Sequence, residues 1–412
     1  MRDMSKNKMQ TLKGFRDFLP TEARKRAWLR SKMIEVFERY GYEPLETPAL
    51  EPLELFEGEI GEDEKLFYKF EDAGGRKVAL RYDQTVPTVR VIGQYLNELT
   101  LPFRRYQIQS CFRAEKPQKG RFREFVQADI DIYGVASPIA DAEAILVSID
   151  LYRSLGFEDI IAYINNRDLM KDIPYTAISA IDKLDKIGEE GVTQEMIAKG
   201  MTGAKAKEYL EKIRNIKPDG TLETIFNYLR ASGVSEKNYQ FKPTLARSFS
   251  YSEGPIWEMV VPGYTAGSVG GGERYDGMMK RITGFDVPAT GIAFGFDRTL
   301  EAAEQMGLTP KMKNSADVLV SVFNNDLLLQ SIKVAQRLRD EGLAVEIYPD
   351  PEVKLEKQLK YADKKGVEKV IIIGPDEARE EKVVIKNMQS GEQEKLDINS
   401  LIEKLPNVEP TN

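Results

Sequence analysis

Between residues 103 and 133 side-chain character alternates, so that RRYQIQSCFR and FREFVQADIDIY read as two β-strands joined by the polar turn AEKPQKGR. On the first strand Gln107, Gln109, Cys111 and Arg113 share a face; on the second Arg123, Phe125, Gln127, Asp129 and Asp131 do. The opposite face of the second strand carries Phe122, Glu124, Val126, Ala128, Ile130 and Ile132. One face is therefore mostly apolar and demands a core. The other is strongly polar, and it suits either water or the floor of a ligand site. Alternation alone does not choose between the two.

The rest of the chain is long enough to surround such a hairpin. At 412 residues it exceeds the roughly 250–300 that one core serves, so several domains are expected. Residues 21–40 space Trp28, Met33, Ile34, Phe37 and Tyr40 at helical intervals and stop at Gly41. YEPLETPAL follows as a short strand, and Pro44 and Pro48 confine it to an edge or an interface. A helix is predicted over 136–156 and a polar helical stretch over 172–235, with TAISAIDKLDKI and AKAKEYLEKIR as its clearest amphipathic pieces. Strand character returns at 255–262, passes through SVGGGERYDG, and resumes in ATGIAFGFDRTLEAAE, a strand running into a helix. Near 308–315 proline, asparagine and serine mark a boundary. Beyond it, ADVLVSVF, AVEIYP and KVIIIG alternate with two helical segments, as in a small parallel α/β domain.

Composition narrows the chemistry. Hydrophobic content of 42% and charged content of 30% fit a globular protein, and no apolar run approaches the roughly 18 residues of a membrane span. Met1 to Leu19 lacks a continuous apolar segment, so no secretory signal is expected, and the single cysteine, Cys111, suits a reducing cytoplasm. A net charge of −7 argues against a general electrostatic grip on nucleic acid, leaving local basic surface for any such contact. The chain contains no histidine at all, which excludes a Ser-His-Asp triad, an imidazole base and a His-ligated zinc. Carboxylates, arginines, lysines and backbone remain, a set suited to handling phosphates.

Three segments, in this order, resemble the motifs of the class II aminoacyl-tRNA synthetases. The 21–40 helix with the Pro48 strand is similar to motif 1. Phe112, Arg113 and Glu115 in the hairpin match the FRxE of motif 2, and Gly291, Gly295 and Arg298 in GIAFGFDR resemble motif 3, with Ala293 in place of one glycine. Within that class, LRYDQTVPTVR at 80–90, PQKGRFREFVQADIDIYG, KLDK at 183–186, GGERYDG at 271–277 and KQLKYADKKG at 357–366 resemble the histidyl-tRNA synthetase family over nearly the whole chain. The resemblance implies an α+β fold: an antiparallel sheet core flanked by helices, an inserted helical unit, and a C-terminal α/β anticodon-binding domain. Its catalytic core would span 1–170 and 239–308, the insertion 171–238, and the anticodon-binding domain 316–412. It also implies a cytoplasmic homodimer built through motif 1. The activity implied is ATP-dependent activation of histidine to histidyl-adenylate, with Mg2+, and transfer to tRNA(His).

Residue roles carry over by position. Arg113, Arg247 and Arg298 would be catalytic: Arg113 on the ATP α-phosphate and substrate carboxylate, Arg298 on the γ-phosphate, and Arg247 on the α-phosphate during adenylate formation. Planar, permanently charged guanidinium groups suit all three oxyanions. ATP would also meet Glu115, Arg121 and Phe125, with Glu115 as a Mg2+ ligand. Asp83, Gln84 and Thr85 would take the α-amino end of histidine, Gln127 its backbone, and Asp131 its imidazole, with Tyr251 and Ser252 beside the ring. Gln118, Lys119 and Arg123, with Arg121, would meet the tRNA acceptor end.

The chain departs from the family at RSFSYS, where relatives read RGLDYY, so that Ser248, Ser250 and Ser252 replace Gly, Asp and the second Tyr. That Tyr is an imidazole partner in relatives, and Ser252 is too short to reach equally far without water. Asp83 stands for the more usual Glu, and Ala114 and Val126 for histidines. Two other readings therefore accompany the first. One is a non-catalytic, histidine-sensing paralogue resembling the regulatory subunit of ATP phosphoribosyltransferase; the other is a class II synthetase-like enzyme for another amino acid.

Overall fold

Proline in the first turn starts the first helix, α1 (Pro20–Arg39), and Gly41 ends it with φ 74°, as expected from the sequence. Leu29, Met33, Val36 and Phe37 form its buried stripe. The structure, a computed structural model, describes residues 9–57, 66–116, 122–247, 252–311 and 316–405.

The segment read as one proline-interrupted strand divides between two sheets. β1 (Glu43–Pro44) pairs in parallel at the edge of the large sheet, while β2 (Leu50–Pro52) joins β3 (Lys69–Glu71) and β4 (Lys77–Leu80) in a small sheet of order β2-β4-β3. Proline lacks the donor a central strand needs, so Pro44 sits at an edge. After α2 (Thr85–Tyr95) comes the predicted hairpin, β5 (Phe103–Phe112) and β6 (Glu124–Tyr133), antiparallel with Arg105 opposite Asp131, Gln107 opposite Asp129 and Gln109 opposite Gln127. α3 (Pro138–Ser154) starts where the Ser137 hydroxyl accepts a bond from Ile139 N at 3.3 Å.

β7 (Ile161–Asn166) leads into α4 (Tyr175–Ile181), α5 (Leu184–Ala198), α6 (Gly203–Arg214) and α7 (Gly220–Ala231). The segment TAISAIDKLDKI is not one helix: α4 ends at Ile181, α5 begins at Leu184, and Gly188 interrupts α5 with φ 69°. This helical stretch feeds two cores. α4, α5 and α6 bury Ala177, Ile178, Val192, Met196, Leu210 and Ile213 in a core of their own, whereas Leu222, Ile225, Phe226 and Leu229 of α7 pack into the main one. β8 (Tyr239–Phe241), β9 (Glu253–Val260), β10 (Gly270–Arg274), α8 (Asp276–Thr283), β11 (Ala289–Gly295) and α9 (Phe296–Gln305) complete this unit. The glycine-rich GGGER, which periodicity left unassigned, is the strand β10.

Among the described residues the large sheet has eight strands in the order β1-β5-β6-β11-β10-β9-β7-β8, antiparallel except for its two outermost pairs. Its apolar face, including Ile108, Ala128, Ile130, Ile132, Trp257, Ile292 and Phe294, forms one core with α1, α3, α7 and α9. That face settles one half of the hairpin's alternation. The polar face is buried as well: Arg105, Gln107, Gln127, Asp129 and Asp131 are all shielded from solvent.

The chain divides into two compact units, Met1–Pro310 and Lys311–Asn412. In the second, β12 (Val318–Val320), β13 (Val345–Ile347) and β14 (Lys369–Ile372) run parallel, with α10 (Leu328–Asp340) and α11 (Leu355–Lys365) as the crossovers. The parallel expectation covers only these strands. After α12 (Pro375–Arg379), β15 (Lys382–Asn387) and β16 (Gln393–Asp397) add antiparallel, and α13 (Ile398–Lys404) follows; the sheet order is β13-β12-β14-β15-β16. The charged alternation of KVVIKN and QEKLD reads as half-solvated edge structure rather than as buried strand, which is why the hydrophobic pattern missed it. No helix among the described residues is long and apolar enough to cross a membrane.

One buried ion pair locks α3 to β10 and β11. Arg274 Nη2 donates to Asp141 Oδ2 at 2.7 Å, and Thr290 Oγ1 donates to Asp141 Oδ1 at 2.6 Å. Removing only the cation strands a buried carboxylate, so Arg274→Met is expected to lower stability by about 3–5 kcal/mol in urea unfolding. Asp141→Asn in the same chain should recover most of that loss; equal loss in the double variant would show that the ion pair is not the cause.

Candidate active site

The polar face of the large sheet is the floor of a cavity of ≈ 670 Å³, walled by the N-terminal ends of α2 and α9 and the hairpin strands. The floor is built in cross-strand rows. Gln107, Asp129, Ala293 and Gly271 form one; Arg105, Asp131, Gly291 and Glu273 form the next. Glycines on β10 and β11 make room for side chains that lie over them. A Cβ on Gly291 would lie 2.0 Å from Asp131 Oδ1 and 2.4 Å from Ile130 O, so that position excludes a side chain, and one on Gly271 would lie 1.7 Å from Arg247 Nη1, so a side chain there would move the arginine.

The second row carries dense charge. Arg105, fully buried, forms an ion pair with Asp131 Oδ2 and sits 4.0 Å from Asp129 Oδ2. Tyr275 donates its hydroxyl to Asp131 Oδ1 at 2.6 Å, and Gln127 Nε2 donates to Asp129 Oδ2 at 3.0 Å. Burial opposes the Arg105 charge, yet Asp131, Tyr133 and Asp129 together hold its pKa above the usual arginine value. Burial raises the Asp129 carboxyl well above the ordinary range, with Arg105 opposing it; Asp131 is raised for the same reason and held down by the same arginine. Asp129 Oδ1 is buried with no hydrogen-bond partner among the described residues.

The three arginines singled out in the sequence all line this cavity. Arg113 continues β5, lies 4.2 Å from the Tyr82 ring and 5.0 Å from the Phe125 ring, and donates Nε to Tyr82 O at 3.3 Å. Aromatic flanks fix the plane of a guanidinium while leaving its edge available to an oxyanion. Arg298, in the first turn of α9, donates Nη1 to Ser268 O at 3.1 Å. Its cation stands at a helix N-terminus, where the helix dipole favours an anion. Arg247 has φ 40°, uncommon for a side-chain-bearing residue, and its Nε donates to Glu273 Oε2 at 3.3 Å.

Other predicted residues divide. Asp83, Thr85, Glu115, Phe125, Gln127 and Asp131 line the cavity. Gln84 does not: its Nε2 donates to Gln127 O at 2.6 Å, fastening α2 to β6. Ser252 is buried behind the wall and donates its hydroxyl to Glu273 Oε2. Arg123 gives its guanidinium to Glu115 O at 3.1 Å and Lys13 O at 3.2 Å, tying the base of the hairpin loop to the N-terminal segment. Gln118, Lys119, Arg121, Tyr251, Ser248 and Ser250 lie outside the described residues.

Sequence reasoning missed Arg105, Glu273 and Tyr275. Arg105 continues the polar alternation of Gln107 and Gln109 and was legible on that ground; Glu273 and Tyr275 were quoted in GGERYDG without a structural place. Asp297 was also passed over. It accepts from Arg16 Nη2 at 2.9 Å, Arg26 Nη1 at 2.5 Å and Val126 N at 3.1 Å, binding the chain's beginning to α9 and β6 beside Arg298.

Comparison with known proteins gives this geometry its context. Residues 14–187 and 178–299 match the histidyl-tRNA synthetase family, and 317–407 match the anticodon-binding domain. An antiparallel sheet with arginines over a buried polar floor, joined to an anticodon-binding domain, is the class II aminoacyl-tRNA synthetase architecture. The histidine-tRNA ligase of Cytophaga hutchinsonii is 34% identical over 447 residues, spanning 95% of this chain and 98% of that one. That of Wolinella succinogenes is 37% identical over 420 residues, spanning 93% and 95%. The crystal structure of histidyl-tRNA synthetase from Nostoc superposes with TM-score 0.83 at 30% identity, over 97% of this chain and 99% of that one. The chain belongs to the histidyl-tRNA synthetase family.

Asp83 gives the site a measurable pH signature. Burial pushes its carboxyl up to about 6, although Arg113 opposes the shift. A raised folded value favours the neutral acid on folding. This contribution is complete below the unfolded value near 3.8 and is lost as pH rises through about 6. The shift of about two units corresponds to roughly 3 kcal/mol. Asp83→Asn should therefore gain stability relative to the parent by about that amount between about pH 4 and pH 7, read by urea unfolding of the free protein. A difference that does not change with pH would remove the assignment.

Proposed function

We infer that this chain is a histidine-tRNA ligase: it joins histidine to ATP as histidyl-adenylate, releasing pyrophosphate, and passes the histidyl group to tRNA(His). What supports this most is full-length family membership in a chain that also keeps three arginines around one cavity and carries an anticodon-binding domain. The same domain weighs against a histidine-sensing module without ligase activity.

In the first step the histidine carboxylate attacks the α-phosphorus and the bond to the β-phosphate oxygen breaks. The nucleophile is already an anion, so no general base is required; alignment and neutralisation of the charge on the pentavalent phosphorus are the tasks. We assign the substrate carboxylate and α-phosphate to Arg113, the α-phosphate in the transition state to Arg247, and the γ-phosphate to Arg298. Phe125 stacks on the adenine side, and Arg121 adds to phosphate binding. Asp83 and Thr85 take the α-amino group, whose positive charge would draw the Asp83 carboxyl back into its ionised form. Gln127 holds the backbone end, Gln84 keeps α2 against β6, and Asp131 faces the imidazole with Tyr251 beside it, while Ser252 acts only through Glu273.

Mg2+ carried by ATP would neutralise charge between the phosphates, with Glu115 as the protein carboxylate beside it. We assign Gln118, Lys119 and Arg123 to the acceptor end of tRNA(His), and the α1–β1 segment to a homodimer contact in a cytoplasmic enzyme. The domain division we adopt is 1–170 with 239–308 as the catalytic core, 171–238 as the insertion and 316–412 as the anticodon-binding domain.

Amino-acid-dependent ATP–pyrophosphate exchange across the twenty amino acids tests the reading. Exchange with histidine alone is expected, and Arg247→Ala should lower kcat by about 100-fold or more. Preference for another amino acid would redirect the assignment to that substrate; histidine binding without exchange would replace it with a sensing role.

A further inference from the structure

Ser252 donates its hydroxyl to Glu273. We propose that Glu273, on β10, is the specificity-determining acceptor for a ring N–H of histidine, a role that rests on the histidine-tRNA ligase reading. Three observations carry it.

The first is placement. Asp131, Gly291 and Glu273 are consecutive members of one cross-strand row on the cavity floor. Adjacent strands lie about 4.8 Å apart, so the α-carbons of Asp131 and Glu273 are separated by about 10 Å, with only a glycine between them. The Asp131 carboxylate leans over that glycine, where a Cβ would lie 2.0 Å from Asp131 Oδ1, and both carboxylates line the cavity. A side chain at Gly291 would displace the Asp131 carboxylate; glycine lets the two acids share one row.

The second is bonding capacity. Asp131 has one oxygen accepting the Tyr275 hydroxyl and the other held in the ion pair with Arg105, without a hydrogen bond of its own. Glu273 places both of its partners, Ser252 Oγ and Arg247 Nε, on Oε2. Among the described residues Oε1 has no partner, so Glu273 retains an acceptor for a ligand.

The third is how the group is held. The pairing of β10 with β9 shifts register between Glu273 and Arg274, and Gly254 has φ 58° in the displaced stretch. Such irregularities re-aim side chains beside functional sites. Here the start of β9 is turned so that Ser252 reaches Glu273 from behind. Ser252 thereby anchors a carboxylate supplied by the neighbouring strand. A ring nitrogen without hydrogen, or one carrying a methyl group, would leave that carboxylate desolvated and unpaired.

ATP–pyrophosphate exchange with the full-length enzyme provides the test, varying histidine at saturating ATP and then ATP at saturating histidine. Glu273→Ala is expected to raise the histidine KM about 10- to 100-fold, with Glu273→Gln, which keeps an uncharged acceptor oxygen, in between. The ATP KM should stay within about threefold of the parent. The parent should reject one of the two ring-N-methylated histidines, and Glu273→Ala should lose most of that discrimination. An unchanged histidine KM in Glu273→Gln, with losses confined to kcat or the ATP KM, would overturn the proposal and reduce Glu273 to a support for Arg247. The near-isosteric glutamine variant decides the matter should the alanine variant fail to fold. If the parent itself shows no histidine-dependent exchange, the ligase reading fails, and this assignment with it.

Discussion

Everything in the catalytic unit is arranged around a charge that cannot reach water: the guanidinium of Arg105, fully buried on β5 of the large sheet. An isolated buried cation is very costly, and it persists because Asp131 and Asp129 stand on the paired strand within ion-pair reach. Those carboxylates are in turn costly without the arginine, as the burial-driven rise in their pKa values shows. The strands β5 and β6 must therefore keep one register. A slip of one residue would turn these charges into the hydrophobic core and Ile130 and Ile132 into the cavity.

That constraint sets what the neighbouring strands can carry. Beside the charged floor of β6, β11 and β10 place Gly291 and Gly271, over which Asp131 and Arg247 lie, together with Glu273. Arg247 lies over Gly271 from a left-handed backbone conformation that serves its position rather than local stability. The opposite face repeats the logic once, where Arg274 and Asp141 form a buried pair inside an otherwise apolar layer. There the pair joins helix to sheet.

Much of this was legible from side-chain pattern. The hairpin, α1 with its proline start and glycine stop, and the β11-to-α9 transition are local features, and local sequence periodicity reports them directly. Arg113 and Arg298 stood out because short motifs place them at the end of a strand and the start of a helix. Pattern failed where pairing, not propensity, makes the element. GGGER is a poor strand by composition and becomes β10 because strands on both sides offer it hydrogen bonds. The charged β15 and β16 are strands for a similar reason, and TAISAIDKLDKI, amphipathic as a whole, breaks between two short helices whose apolar residues share one core.

The polar face of the hairpin marks the division between the two levels. The amino-acid sequence by itself determined that two strands would present one apolar and one charged surface, since alternation along a strand is a matter of backbone geometry. It also determined the family, through motifs contiguous in the chain. Whether the charged surface met bulk water or lined a cavity was decided only by the tertiary structure, because the answer lies in residues far along the chain, 144 positions from Asp131 in the case of Tyr275, which holds it, with Gly291 beneath it and Glu273 in the same row. Cross-strand neighbours leave no trace in sequence spacing, so Glu273 was invisible as a site residue until the register was known.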